Sequence, residues 1–178
     1  MTPIEQTRHW LEQAVIGLNL CPFAKAVHTK GQIRWVESSA TDVQGLMADL
    51  VHELQLLAAA DPEAVDTTLL VHPQVLGDFL DYNDFLDLAD AALEELGLEG
   101  VLQIASFHPQ YQFEGTEPDD AENLSNRSPH PTLHLLREDS VDRAVASFPE
   151  AEMIYERNIQ SLRALGAEGW ERLTAGKP

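Results

Sequence analysis

The sequence predicts an α/β fold: a small mixed four-stranded sheet, three parallel strands plus one antiparallel, packed with N- and C-terminal helices. Three observations predict it. Short apolar or β-branched runs alternate with amphipathic helical runs through the middle of the chain, which implies two crossovers and strands of one direction. A fourth such run arrives with no helix before it, so its simplest place is antiparallel to the third. Both ends of the chain carry helical periodicity.

The first helix opens on a capping signature, with Thr2 at the cap, Pro3 at the first helical position and Glu5 closing the box. Ile4, Leu11, Ala14, Val15 and Leu18 follow at helical spacing, with Gly17 near the stop. Pro22 after Cys21 predicts a short second helix with Cys21 as its N-cap. Gln32 to Glu37 reads as the first strand. A helix from Thr41 buries Leu46, Met47, Leu50, Val51, Leu54 and Leu57. Thr67 to Val71 (TTLLV) is a strand apolar on both faces. A helix from about Tyr82 to Leu96 ends at Gly97, where a residue without Cβ can turn left-handed. Val101 to Phe107 and Thr132 to Arg137 are the third and fourth strands. Helices over Ser140 to Phe148 and about Glu150 to Leu165 close the chain, the latter stopped by Gly166. No linker rich in Ser, Gly or Pro divides the sequence, so one domain over residues 1–178 is expected, its last dozen residues weakly ordered.

The composition is that of an ordinary globular chain, with 44% hydrophobic and 23% charged residues. Its charge is less ordinary: 30 acidic against 11 basic residues leave a formal net charge of −19. Such a surface repels phosphate backbones and anionic bilayers, so neither nucleic acid nor membrane is an expected partner. Cys21 is the single cysteine, which excludes an internal disulfide and a CxxC metal knuckle. Without a signal-peptide pattern or a long apolar run, the expected location is the cytoplasm. Nothing in the residues names a cofactor or an oligomeric state.

Chemistry concentrates between Phe107 and Glu138, which hold three of the seven histidines. About 24 residues without a regular pattern separate the third and fourth strands there, and connections of that length are usually functional or disordered. Tyr111, Phe113 and Leu124 supply apolar anchors, so an ordered, site-forming loop is expected. The second strand ends in His72-Pro73-Gln74 and the third in His108-Pro109-Gln110. Parallel strands would release both triplets at the edge where open α/β sheets place ligands, and an antiparallel fourth strand would bring His130 to the same edge. Pro129 and Pro131 fix the backbone on either side of His130. Arg127, flanked by Asn126 and Ser128, can take a carboxylate or phosphate in a bidentate grip. It can equally pair with Asp119, Asp120 or Glu122 to hold the loop shut. His130 and His134 would bind zinc together on a helix, but on a strand they stand about 13 Å apart.

These residues give a candidate set. His130, His108 and Cys21 are the catalytic candidates, with Arg127, Asn126, Ser128, Tyr111 and His72 as substrate-binding ones. A thiol at a helix N-terminus is activated by the unpaired N–H groups there, and a neighbouring histidine would complete a Cys–His pair. The leading expectation is an enzyme, a hydrolase or transferase, acting on a small anionic or phosphoester-like metabolite. The alternatives are a metal-binding protein using His72, His108 and His130 with Glu114, Asp119 or Asp120, and a non-enzymatic binding or regulatory module.

The segments CPFA, FHPQYQFEG and NRSPHPTLHLLRE, with the helix-rich middle, resemble the bacterial family catalogued as domain of unknown function 1415. The resemblance spans nearly the whole chain. It implies a single-domain bacterial protein of about this length and transfers no catalytic or binding residues.

Overall fold

The computed structural model describes residues 1–176. Thr2 caps α1 (Pro3–Trp10): its hydroxyl accepts the Glu5 N–H, and the Glu5 carboxylate accepts the Thr2 N–H. The chain then widens into a π-helical segment, Leu11–Ile16, that buries Leu11, Ala14 and Val15. The short α2 (Ala24–Thr29) follows. It begins three residues after Cys21 with Phe23 in the N-cap position and no side-chain cap bond, so the expected placement of Cys21 at a helix N-cap fails. The Cys21 carbonyl is instead spent on a turn, accepting the Ala24 N–H at 3.2 Å.

β1 (Ile33–Glu37) leads into α3 (Val43–Ala59), which Asp42 caps, and then β2 (Thr67–Val71). α4 (Phe79–Glu95) starts earlier than its apolar periodicity indicated, because Asp78 caps it through the Asp81 N–H. β3 (Leu102–Phe107), a 3-10 turn at Ala121–Asn126, β4 (Thr132–Arg137), α5 (Glu138–Ser147) and α6 (Ile154–Thr174) complete the order. At Gly166 the backbone leaves the helical region (φ 69°, ψ 173°), so the first stretch of α6 stops there as expected and a second stretch follows across a kink. The second stretch runs to Thr174 with Trp170 buried, against the expected weak order of the last dozen residues; of these, 177 and 178 lie outside the described residues.

The sheet order is β1-β2-β4-β3. β1 and β2 are parallel, while β4 is antiparallel to both β2 and β3. The expected core of three parallel strands is therefore corrected: β4 inserts between β2 and β3, and one strand pair is parallel. The reason lies in which strands can be buried on both faces. β2 is buried at every position, and β4 buries Thr132, Leu133 and Leu135, whereas β3 carries Gln103 and Ser106 and is half-exposed for most of its length. The polar strand takes the edge.

Helices cover both faces. On one side α3 and α4 pack Leu46, Leu50, Leu54, Leu57, Tyr82 and Phe85 against Leu70, Leu133, Leu135 and Leu102. On the other, α1, the π-helical segment and α6 bring Trp10, Val15, Leu162 and Trp170 together with Ile33, Trp35 and Phe107.

Arg137 fastens the end of α3 to the sheet. One of its Nη groups donates to the carbonyls of Leu57, Ala60 and Val65 at 2.8, 3.1 and 2.8 Å. Those carbonyls lie in and just beyond the last turn of α3, where acceptors lack intrahelical partners and a cation meets the negative end of the dipole. Arg137→Leu is expected to lower unfolding free energy by about 3 kcal/mol, from loss of charge-assisted bonds to part-buried acceptors. Urea denaturation monitored by far-UV circular dichroism checks it, with the midpoint falling and the slope unchanged.

Candidate functional site

Strand register determines which residues share the rim. Thr132 at the start of β4 is opposite Val71 on one side and Phe107 on the other, so β2 and β3 end where β4 begins. His72, His108 and His130 thus leave the sheet at one edge. Their rings do not converge. His72 and His108 turn to the α4 side, with ring centroids 5.8 and 4.9 Å from Tyr82, while His130 reaches across to Gln6 of α1.

The hydrogen-bond partners determine each imidazole's tautomer. His108 is fully buried; its Nδ1 accepts the Gln110 N–H and its Nε2–H donates to the Leu76 carbonyl, both at 3.0 Å. A second proton would have to go onto Nδ1, against an N–H that already points there. Burial lowers its pKa, and no ring nitrogen is left for acid–base work. Its structural role is definite: it anchors Leu76, whose φ of 60° is unusual for a bulky residue. His72 is also fully buried, donates from Nδ1 to the Val75 carbonyl at 3.0 Å and leaves Nε2 without a partner. Desolvation pushes its pKa down to about 4. His130 donates from Nε2 to the Gln6 side-chain carbonyl, and its Nδ1 is unpaired among the described residues. Partial burial lowers its pKa, opposed by the charge of Glu37. Its own carbonyl accepts the hydroxyls of Ser128 and Thr132 at 2.6 and 2.9 Å, which commits Ser128 to the turn.

The Tyr82 hydroxyl closes the rim between β3 and β4. It donates to the Thr132 carbonyl at 2.8 Å and accepts the Phe107 N–H at 3.1 Å. Burial raises the pKa of this phenol, so it remains a fixed structural donor. His134 points to the α1 side. The Thr67 hydroxyl gives its hydrogen to the Leu135 carbonyl at 2.6 Å, so the 2.7 Å contact with His134 must be donated by His134 Nε2–H. Burial holds this imidazole neutral, with a pKa of about 4. It is structural, as its strand spacing from His130 implied.

The long loop is ordered by two internal knots. Asn123 is fully buried: its Oδ1 accepts the Phe113 N–H at 2.8 Å and its Nδ2 donates to the Glu117 carbonyl at 2.8 Å, while the Thr116 hydroxyl beside it gives its hydrogen to the Phe113 carbonyl at 2.7 Å. Arg127 makes the second knot, donating from Nε to the Tyr111 carbonyl at 3.0 Å and from one Nη to the Pro118 carbonyl at 2.7 Å. Arg127 therefore does hold the loop shut, through carbonyls and not through Asp119, Asp120 or Glu122. Partial burial lowers its pKa and nearby Asp119 opposes this, leaving the guanidinium charged. Asn126 spends its amide on the Ser106 carbonyl and the Ser125 hydroxyl. Tyr111 packs its ring between Phe79 and Phe113.

Two depressions flank this loop. One, of about 440 Å³, is lined by Arg127, Asp119, Gln110 and Gln112 from the loop and by Asp78, Phe79 and Leu80 at the start of α4. The other, of about 430 Å³, lies beneath α6 and takes in Cys21, Phe107, Phe113 and Asn126 with Tyr155 and Asn158. Cys21 and Arg127 thus belong to different cavities, and none of His72, His108 and His130 lines either one. The Cys–His pair that a reactive thiol would need is not formed by these residues. Among the described residues no three His, Cys, Asp or Glu side chains are grouped to hold a metal ion. No described helix is long and apolar enough to cross a membrane.

Residues 2–172 match the family described as Protein of unknown function (DUF1415). The chain belongs to that family. No curated protein and no solved structure matches it. The segments that carry the family resemblance meet at the two cavities: CPFA and FHPQYQFEG at the one holding Cys21, FHPQYQFEG and NRSPHP at the one holding Arg127. Family membership thus brings no residue roles with it, and those roles rest on the geometry.

Sequence reasoning missed Asn123, Tyr82 and Asp78. Asp78 had a readable signal, an acid followed three residues later by Asp81 at a helix start. Asn123 and Tyr82 had none, because their partners are 6 to 10 residues and 25 to 50 residues away.

Proposed function

We propose that the protein binds a small molecule bearing an anionic group, and that its site is the cavity between the long loop and the start of α4. One observation carries this reading. Arg127 lines the cavity with its guanidinium oriented by two carbonyls, forms no ion pair among the described residues, and keeps one Nη without a protein acceptor. In a chain with 30 acidic residues, a part-buried cation that forms no direct ion pair among the described residues is a suitable anchor for an anion. Because the fork is already fixed, little ordering entropy is lost when a carboxylate or phosphate meets it. Gln110 and Gln112 add amide groups and Phe79 an apolar wall.

An enzyme built on His108 and His130 receives less support. His108 has no free nitrogen, and His130 has a free Nδ1 but stands on the α1 side of the sheet. Metal binding through His72, His108 and His130 also lacks support, because His72 and His130 face opposite sides. Binding of one small ligand, as a non-enzymatic module or as the first step of a reaction, is the reading best matched to the geometry.

Leu80 offers a clean test. It lines the cavity, is 71% exposed and takes no part in the loop knots, so Leu80→Trp should fill the site with little effect on stability. Small organic acids and phosphate esters at millimolar concentration are expected to raise the melting temperature of the wild type and not of Leu80→Trp. A panel that shifts neither protein would remove the cavity from consideration.

A further inference from the structure

We infer that the ligand of this cavity is a zwitterion, a small amino acid carrying both a free carboxylate and a free ammonium group; this rests on the Arg127 cavity being the ligand site. The cavity is bipolar. Arg127 supplies one positive group, while Asp119 and Asp78 line the same space with negative ones. Asp119 accepts no hydrogen bond among the described residues and is close enough to Arg127 to act on its charge. Asp78 spends one oxygen on the Asp81 N–H at 3.0 Å and keeps the other. A carboxylate on the free Nη of Arg127 would leave an adjacent ammonium within the field of these two acids.

The field of the whole molecule points the same way. A formal charge of −19 disfavours a ligand that is only anionic, whereas a zwitterion crosses that field without net cost. The apolar wall accounts for the rest of such a ligand. Phe79 is held against Tyr111 and His108 at centroid distances of 5.2 and 5.4 Å, and beside it Leu80 is 71% exposed. A free amino acid with an apolar side chain satisfies all three features. The volume of about 440 Å³ lies at the small end of ligand sites.

The test uses the full-length protein and thermal-shift titration with L-leucine, L-phenylalanine, their N-acetyl derivatives, their amides and inorganic phosphate. The free amino acids are expected to raise the melting temperature. The N-acetyl derivatives lack the ammonium and the amides lack the carboxylate, so each should bind at least about tenfold more weakly. Asp119→Asn should weaken the free amino acids and narrow their advantage over the N-acetyl derivatives, and Leu80→Trp should abolish every shift. If N-acetyl derivatives or phosphate bind as well as the free amino acids, and Leu80→Trp abolishes that binding, the zwitterion inference is overturned while the anion site stands. If no compound shifts the wild type, or the shifts survive Leu80→Trp, both are overturned.

Discussion

Acidification from pH 6.5 to pH 4 is expected to remove about 5 kcal/mol of stability through two histidines alone. His72 and His134 are both neutral in the folded chain, each with a pKa pushed down to about 4 by desolvation. In the unfolded chain each titrates near 6.5. Above pH 6.5 neither state binds the proton and the full stability is present. Between 6.5 and 4 the unfolded chain takes up protons that the folded chain refuses, so stability falls as the pH falls. Below about 4 both states are protonated and this loss stops growing. The whole fall from about 6.5 to about 4 corresponds to about 3 kcal/mol per histidine, most of it released between those two pH values. Protonation has nowhere favourable to go: His72 Nε2 is buried without a partner, and His134 already spends its one proton on Thr67. Melting temperatures measured between pH 4 and 7.5 check this, with His134→Gln as the comparison. Glutamine can still donate to the Thr67 hydroxyl but does not titrate, so about half of the acid-induced loss should disappear. Equal slopes for the two proteins would falsify the assignment.

Asn123→Ala should be the most damaging single change in the loop, at about 3 kcal/mol. Its side chain accepts from the Phe113 N–H and donates to the Glu117 carbonyl, both from a fully buried position. Alanine removes both bonds and strands a backbone donor and acceptor within the loop, and leaving such groups unpaired costs more than the bonds are worth on average. At roughly 2–4 °C per kcal/mol for a chain of this size, the melting temperature should drop by about 9 °C. Hydrogen exchange separates this from global loosening. The Phe113 amide should lose protection well before the amides of β2 and β4, because the loop opens locally while the buried strands hold. Because Arg127 grips the same loop at Tyr111 and Pro118, the variant should also lose any ligand binding at the neighbouring cavity. Uniform loss of protection across sheet and loop would show instead that Asn123 supports the whole fold.

The readings of the rim histidines show how far one-dimensional information reached. The HPQ triplets and the proline-flanked His130 were correctly gathered at one sheet edge, because strand direction alone decides where a chain leaves a sheet. Which face each ring turns to depends on which helix lies above it. Tyr82 draws His72 and His108 to the α4 side, and Gln6 draws His130 to the other. Their chemistry changed accordingly: His72, a substrate-binding candidate, is a buried ring, and the catalytic candidates His108 and His130 are a turn anchor and a ring held by α1. Arg127 was read both as an anion grip and as a loop clamp. Its carbonyl contacts establish the clamp, and the unpaired Nη keeps the grip as a proposal. Cys21 fell furthest from its reading, since Pro22 proved to sit in a turn ahead of α2 and not in its first position.

By itself the sequence determined what local chemistry can decide: the alternation of strands and helices, the Thr2 capping box, the Gly97 stop, the ordered character of the long loop and family membership. The first three follow from residues a few positions apart, whose spacing and backbone preferences act before any tertiary contact forms. Only the tertiary structure decided that β4 lies between β2 and β3, that Arg137 holds the end of α3, and that the candidate site residues divide between two cavities and a sealed rim. Those outcomes depend on which two-faced strand is best buried and on polar partners tens of residues apart, and no local pattern encodes such pairings.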